Sequence, residues 1–317
     1  MKRIIKSFLK KVGLFEIVKK SYKSRKKLSK KYVFEGKIKN LQKVCFVLAG
    51  YKSFSYEIVF KRIKKFIPDD IEVCILSSGK YSTELSQIAK GNDWSYLSTK
   101  RNNVSLIQNI AIDLFKSAIY IYKLDEDIFV TKGFFETLFK TMEECEKNGE
   151  YRVGFVAPTI PINGFGHLNI LKRFNLVQKY EEMYEKPIYA AGRDRMVEYN
   201  PDVAKFFWGE GNYLPQLDKM NDVLSKDEFK YIACPIRFSI GAILFKRDFW
   251  EKMDMFKVVN GAGMGLDEEQ VCEYAINHSE AIIVSLNSVV GHLSFGNQND
   301  EMKKYFLQNT YIFDIND

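Results

Sequence analysis

The chain has 317 residues, 46% hydrophobic and 15% aromatic, which excludes a disordered polypeptide and suffices for a large buried core. No apolar run reaches the roughly 18 residues needed to span a bilayer. The five cysteines are odd in number and lack CxxC spacing, which speaks against a disulfide framework or a structural zinc site.

The formal charge of +8 is unevenly held. Residues 1–31 carry 13 Lys or Arg against the single Glu16, a net of +12; this leaves 35 of the 48 basic and 39 of the 40 acidic residues to the rest, a net of −4. Ile4, Ile5, Phe8, Leu9, Val12 and Phe15 share one helical face, with Lys2, Arg3, Lys6 and Lys10 mostly opposite. The charged front has no uninterrupted apolar core behind it, so a signal peptide is not expected. Residues 1–39 are predicted to form a basic amphipathic helical arm that lies on an anionic membrane surface through residues 1–31. Packing on its own domain or on a partner is the alternative. Nucleic acid is not expected as a partner, because the body is slightly acidic and shows no nucleic-acid module.

From Lys43 strand and helix alternate. Val44–Ala49 predicts a buried strand ended by Gly50-Tyr51, and helical spacing over Phe54–Phe66 stops before Pro68. Ile71–Leu76 is the next strand, closing on Ser77-Ser78-Gly79. Tyr81–Lys90 reads as helix, Trp94–Leu97 as a short strand and Val104–Lys116 as helix. A strand over residues 118–124 then delivers Asp125, Glu126 and Asp127 directly before Ile128-Phe129-Val130. Such alternation implies an α/β fold with parallel strands and right-handed crossovers, whose ligand lies beyond the carboxyl ends of the strands. Three acids wedged between apolar runs repel one another and lose hydration. A hard divalent ion with oxygen ligands, bridging to substrate phosphates, is a natural compensator. The alternative is a set of acids at a helix N-terminus.

The segment Leu-Asp-Glu-Asp-Ile-Phe-Val, residues 124–130, precedes an aromatic helix start at Gly133-Phe-Phe. It resembles the DxD region of GT-A nucleotide-sugar glycosyltransferases of the bacterial family-2 type, and the resemblance covers roughly residues 43–140. It implies a GT-A, Rossmann-like, mostly parallel sheet flanked by helices. It further implies that Asp125 and Asp127 hold Mn²⁺ or Mg²⁺, with Asp125 also meeting the nucleotide-sugar. Ala49, Gly50 and Tyr51 would cradle the nucleoside. Ser78 stands where members often carry an acid that touches uracil. Asn103 and Asn109 lie on a helix running toward the diphosphate, although an arginine common there is Gln108 in this chain. Lys123 is similar to a residue of some β-1,3-type members.

The second half is less periodic. Val153–Val156 predicts a strand leading into Ala157-Pro-Thr-Ile-Pro161, and residues 162–232 read as an insertion over the acceptor side. Arg193 and Arg195 could grip an anionic acceptor there, with ordinary surface residues as the favoured alternative. Pro235–Phe245 is predicted as an edge strand and Arg247–Met253 as a short helix. Gly261-Ala-Gly-Met-Gly265 leads into Leu266-Asp-Glu-Glu-Gln-Val-Cys272, which places acids at the positive end of a helix. This cluster is similar to the acidic pair of inverting GT-A enzymes, which implies Glu268 as general base and Asp267 as its neighbour. Ordinary N-capping by Asp267 is the alternative. A strand over Ile282–Val290 ends at Gly291-His292, and the resemblance implies His292 as a third metal ligand; His167 and His278 have no such context.

The sequence thus predicts a GT-A domain over 40–300, with a nucleotide-binding half at 43–140, an acceptor half at 150–300 and a tail at 301–317. The expected activity is metal-dependent transfer of a sugar from a nucleotide-sugar, a UDP-sugar, to a glycan or lipid-linked acceptor. Inversion and a role in cell-surface polysaccharide synthesis are expected, in the cytoplasm and peripheral on the inner face of the membrane. A metal-dependent nucleotidyltransferase competes with this, but Ala49-Gly50-Tyr51-Lys52 is a poor phosphate loop. A non-catalytic membrane- or scaffold-binding protein on a degenerate fold is the other rival, and the intact acids at both clusters argue against it.

Overall fold

The computed structural model describes residues 27–192 and 195–315. Most of the expected arm, residues 1–26, and Arg193 lie outside the described residues.

Eleven strands are described: β1 (Tyr32–Glu35), β2 (Lys43–Leu48), β3 (Ile71–Ser78), β4 (Ser95–Thr99), β5 (Tyr120–Asp125), β6 (Ile128–Phe129), β7 (Val153–Thr159), β8 (Tyr231–Ala233), β9 (Ala242–Lys246), β10 (Ala281–Val289) and β11 (Gly291–His292). Nine form one sheet in the order β1-β4-β3-β2-β5-β9-β7-β10-β8, while β6 and β11 pair separately. β2, β3, β4, β5, β7 and β10 share one direction, and β1, β8 and β9 oppose it, so the sheet is mixed but mostly parallel. This is the helix-flanked α/β architecture expected from the alternation.

The helices α1 (Tyr56–Phe66), α2 (Thr83–Gly91) and α3 (Val104–Leu114) are the crossovers of the first half. Two have side-chain N-caps: Ser82 accepts from the Leu85 N–H and Asn103 from the Leu106 N–H, each replacing a partner that a helix end otherwise lacks. All eight residues of β3 are buried. Burial on both faces is why its centre, Val73–Leu76, is apolar without alternation, while buried Glu72 is satisfied by the Lys39 and Leu41 N–H groups. Helix α4 (Phe134–Asn148) follows β6 between left-handed Gly133 and Gly149. One hydrophobic core runs through both halves, and each fully buried Leu, Ile or Phe in it contributes about 1.5–3 kcal/mol.

Three expectations are corrected. The predicted edge strand at Pro235–Phe245 begins only at Ala242, and β9 lies inside the sheet, antiparallel to both β5 and β7. Phe238 and Ile240 are buried as loop side chains, which gave the stretch its strand-like apolar run. The boundary drawn at residue 39 moves, because β1 pairs with β4 and Lys27 forms an ion pair with Asp254. The tail at 301–317 is also part of the body. There α12 (Asn299–Gln308) and α13 (Thr310–Phe313) bury Phe306 and Phe313. Fully buried Arg62 donates to the Phe313 and Asp314 carbonyls and grips Asp218 with both terminal nitrogens at 2.9 Å. The five cysteines are free and buried. Among the described residues no helix is long and apolar enough to cross a membrane.

Candidate active site

The parallel strands direct their carboxyl ends to one place. β2 ends opposite Asp125, the last residue of β5, and β3 ends at Ser78. Lys123 and Asp125 are two residues apart on a strand and so face the same side. The Lys123 ammonium, itself buried, donates to Asp125 Oδ1 at 2.6 Å and to the Ile240 carbonyl at 2.8 Å.

After Asp125 the chain turns and pairs β6 with β11, setting His292 opposite Ile128. The Leu293 N–H donates to the Asp127 carbonyl. This ribbon brings His292 Nε2 to 3.5 Å from Asp127 Oδ2. Lys52 Nζ approaches the same oxygen at 2.6 Å. The middle acid turns the other way: Glu126 accepts from the Gly50 N–H at 2.7 Å, the Tyr51 N–H at 3.0 Å and the Tyr56 hydroxyl at 3.0 Å. It clamps the loop after β2 and is not free to bind a ligand.

The three titratable groups are tuned apart. Desolvation pushes Asp125 up to about 6, against the Lys123 ammonium, although 36% of its side chain still faces the cavity. Burial also raises Asp127, but Lys52 and His292 outweigh it and hold this carboxyl below its ordinary range. Burial keeps His292 below its ordinary value against the pull of Asp127, which favours the neutral imidazole that ligates metals.

The second acidic cluster opens α11 (Leu266–Asn277), after left-handed Gly265. Asp267 is buried and accepts from Gln108 Nε2 at 2.9 Å. Glu268 faces the cavity, 3.3 Å from Arg237 Nε and 3.4 Å from the Ile240 N–H. Burial lifts it to about 7, against the opposing charges of Arg237 and Lys123. A carboxyl that ionises near neutral pH is suited to accept a proton in catalysis.

Ala49, Tyr51, Ser78, Asp125, Asp127, Asp267, Glu268 and His292 line one cavity of about 310 Å³. A larger cleft of about 970 Å³, between residues 205–219 and the C-terminal helices, contains none of them. Gly50 contributes its N–H to Glu126. Two expected nucleotide contacts are otherwise engaged. Asn103 caps α3 and donates to the Val259 and Gly261 carbonyls. Asn109 is buried, donating to Phe256 and accepting from Trp250 and the Phe256 N–H. Both pin the chain that leads to α11. Arg195 is paired with Glu185 at 2.8 Å and does not line the cavity.

The sequence shows Glu126 only as one of three wedged acids and Lys52 only as the end of a poor phosphate loop. Their pairing with the Gly50-Tyr51 loop and with Asp127 is missed there, and Arg237 is not singled out. Lys52 carried a signal, a basic residue directly after Gly50-Tyr51, whereas nothing near Arg237 marked it.

Among the described residues no group of three or more His, Cys, Asp or Glu side chains is arranged to hold a metal ion. Mg²⁺-type sites, however, use one or two carboxylates and take further oxygens from substrate phosphates. The 3.5 Å between Asp127 Oδ2 and His292 Nε2 suits two ligands sharing one ion. The donor set therefore fits an ion whose coordination a diphosphate completes.

No family model matches the sequence, and no curated protein does. Among solved structures, GalNAc-T7 with UDP, GalNAc and Mn²⁺ is similar with a TM-score of 0.46 and 12% identity, over 82% of this chain and 45% of that one. The mannosyltransferase PcManGT from Pyrobaculum calidifontis, in complex with GDP-Man and Mn²⁺, is similar with a TM-score of 0.44 and 13% identity, over 87% and 64%. The chain spans less than two thirds of the length of either.

Proposed function

We propose that the chain is a metal-dependent glycosyltransferase that moves a sugar from a nucleotide-sugar, a UDP-sugar, to a hydroxyl of a glycan or lipid-linked acceptor, with inversion. The observation that carries this is one cavity at the carboxyl ends of β2, β3 and β5, lined both by Asp125, Asp127 and His292 and by Glu268 with its raised pKa. Asp127 and His292 would hold Mn²⁺ or Mg²⁺, with Asp125 beside them. The ion would neutralise charge developing on the departing diphosphate. Glu268, steadied by Arg237 and the Ile240 N–H, would take the acceptor proton as the hydroxyl attacks. Tyr51, which lines the cavity and is 62% exposed, would offer a ring face to the nucleobase.

A panel of nucleotide-sugars tested with Mn²⁺, by thermal stabilisation and by hydrolysis of the donor, addresses the reading directly. At least one donor is expected to stabilise the protein only with the ion present, and Asp127→Asn is expected to abolish both signals in a folded protein. Full donor binding by folded Asp127→Asn would make the acid structural and remove the metal-dependent mechanism.

A further inference from the structure

The two lysines paired with the acids differ in freedom. Lys123 is buried and doubly held, by Asp125 and by the Ile240 carbonyl. Lys52 stands in the turn after β2, on the cavity lining, with 20% of its side chain exposed and Asp127 as its acid partner. Its charge is carried at the end of a rotatable four-carbon stem. Asp127, by contrast, is closed off, with only 4% of its side chain exposed. His292 is fixed by β11 and by the edge-on ring of Phe295, 4.7 Å away.

A divalent ion on Asp127 and His292 would use the carboxylate that Lys52 now occupies. An ammonium and a divalent ion on one carboxylate repel, and the double charge doubles the Coulomb energy of a unit pair in a low-dielectric pocket. One of the two cations must leave, and of the groups present only Lys52 has somewhere to go. The cavity it borders is the one that would receive an anionic diphosphate.

Resting on the transferase reading above, we propose that Lys52 is a displaceable counter-ion. It holds Asp127 in the free protein, yields that carboxylate to the divalent cation, and turns its ammonium onto the donor diphosphate. No covalent bond changes in this exchange. Metal and donor then strengthen each other's binding, because each favours the position of Lys52 that the other needs, and by linkage the factor is the same in both directions.

The test measures Mn²⁺ binding to the full chain without nucleotide, from the loss of the free-ion EPR signal, and repeats it with UDP or GDP. Lys52→Met keeps the stem and removes the charge. It is expected to bind Mn²⁺ alone about 5–150-fold more tightly than wild type, a typical coupling range. The nucleotide diphosphate at saturating Mn²⁺ is expected to bind it more weakly, and the mutual enhancement is expected to shrink. Lys52→Arg should stay near wild type for Mn²⁺ alone. Lys52→Gln, which keeps a donor for Asp127, serves as a second neutral variant in case Lys52→Met does not fold. Neutral variants that bind Mn²⁺ no tighter than wild type overturn the exchange and leave the transferase reading standing. Nucleotide binding that never depends on Mn²⁺ but is lost with Lys52 also overturns the exchange, with the lysine then standing permanently in place of the ion. Absence of Mn²⁺ binding in wild type and variants, with or without nucleotide, removes both the exchange and the metal-dependent reading.

Discussion

Glu268 owes its chemistry to where its charge is placed. Burial lifts its carboxyl to about 7 although Arg237 and Lys123 pull the other way. Below that pH the group is protonated and cannot accept a proton; above it the group is ionised. Transfer, read as kcat/KM, is therefore expected to rise with pH through about 7 and then level off. Glu268→Gln keeps the shape and removes the acceptor, so transfer should fall by roughly 10²–10⁴, lose this acidic limb and leave donor affinity in place. A variant that retains wild-type turnover and its limb would hand the role to another group. Asp267 is the less suited of the two acids, since it is buried and its Oδ2 is occupied by Gln108.

At the scale of elements, the two-residue ribbon of β6 and β11 sets the relation between His292 and Asp127, and Gly291 permits it. A Cβ at Gly291 would come within 2.2 Å of the Trp208 ring. That ring is itself wedged between Phe129 at 5.2 Å and Phe313 at 4.4 Å, so it has little room to yield. Gly291→Ala is expected to cost about 1–3 kcal/mol by overpacking, and to weaken Mn²⁺-dependent donor binding under conditions where both proteins are folded. Denaturant unfolding and calorimetry check the two effects separately; a destabilised variant with unchanged Mn²⁺ affinity would mean that the ribbon does not set the ion site. Much of this scale was legible in the sequence. β3 is buried along its whole length and shows it in the apolar stretch Val73–Leu76, and Asp125 announces the end of β5. β9 was not legible as an interior strand, because an antiparallel strand inserted between β5 and β7 has the same apolar composition as one at an edge. Lys52 and Glu126 find their partners 75 or 76 residues away, and local spacing carries no trace of that. Asn103 and Asn109 looked like ligand contacts, whereas their hydrogen bonds go chiefly to the backbone between Phe256 and Gly261.

For the whole molecule the uneven charge matters most. Residues 1–26 hold ten of the Lys and Arg against one Glu, next to a body that is slightly acidic. Each basic residue close to an anionic bilayer contributes on the order of 1 kcal/mol, so on the proposed transferase function the segment would hold the chain near a lipid-linked acceptor and raise its local concentration. The structure indicates where to cut. Lys27 already belongs to the body through Asp254 and through its carbonyl, which accepts from Asn109, and β1 follows on the edge of the sheet. Removing residues 1–26 is therefore expected to leave thermal unfolding and hydrolysis of a soluble donor unchanged. The same deletion should release the protein from anionic liposomes and lower transfer to a lipid-linked acceptor. Salt should weaken liposome binding of the full chain steeply, since exposed charges are screened over about 8–10 Å at physiological ionic strength. Liposome flotation of the two proteins at low and high salt separates the cases. If the full chain stays in the aqueous fraction even at low salt, the basic segment serves packing or a protein partner, and the membrane role is lost. If flotation is retained after the cut, the contact belongs to the body, whose net negative charge would then call for a local basic patch instead of the arm.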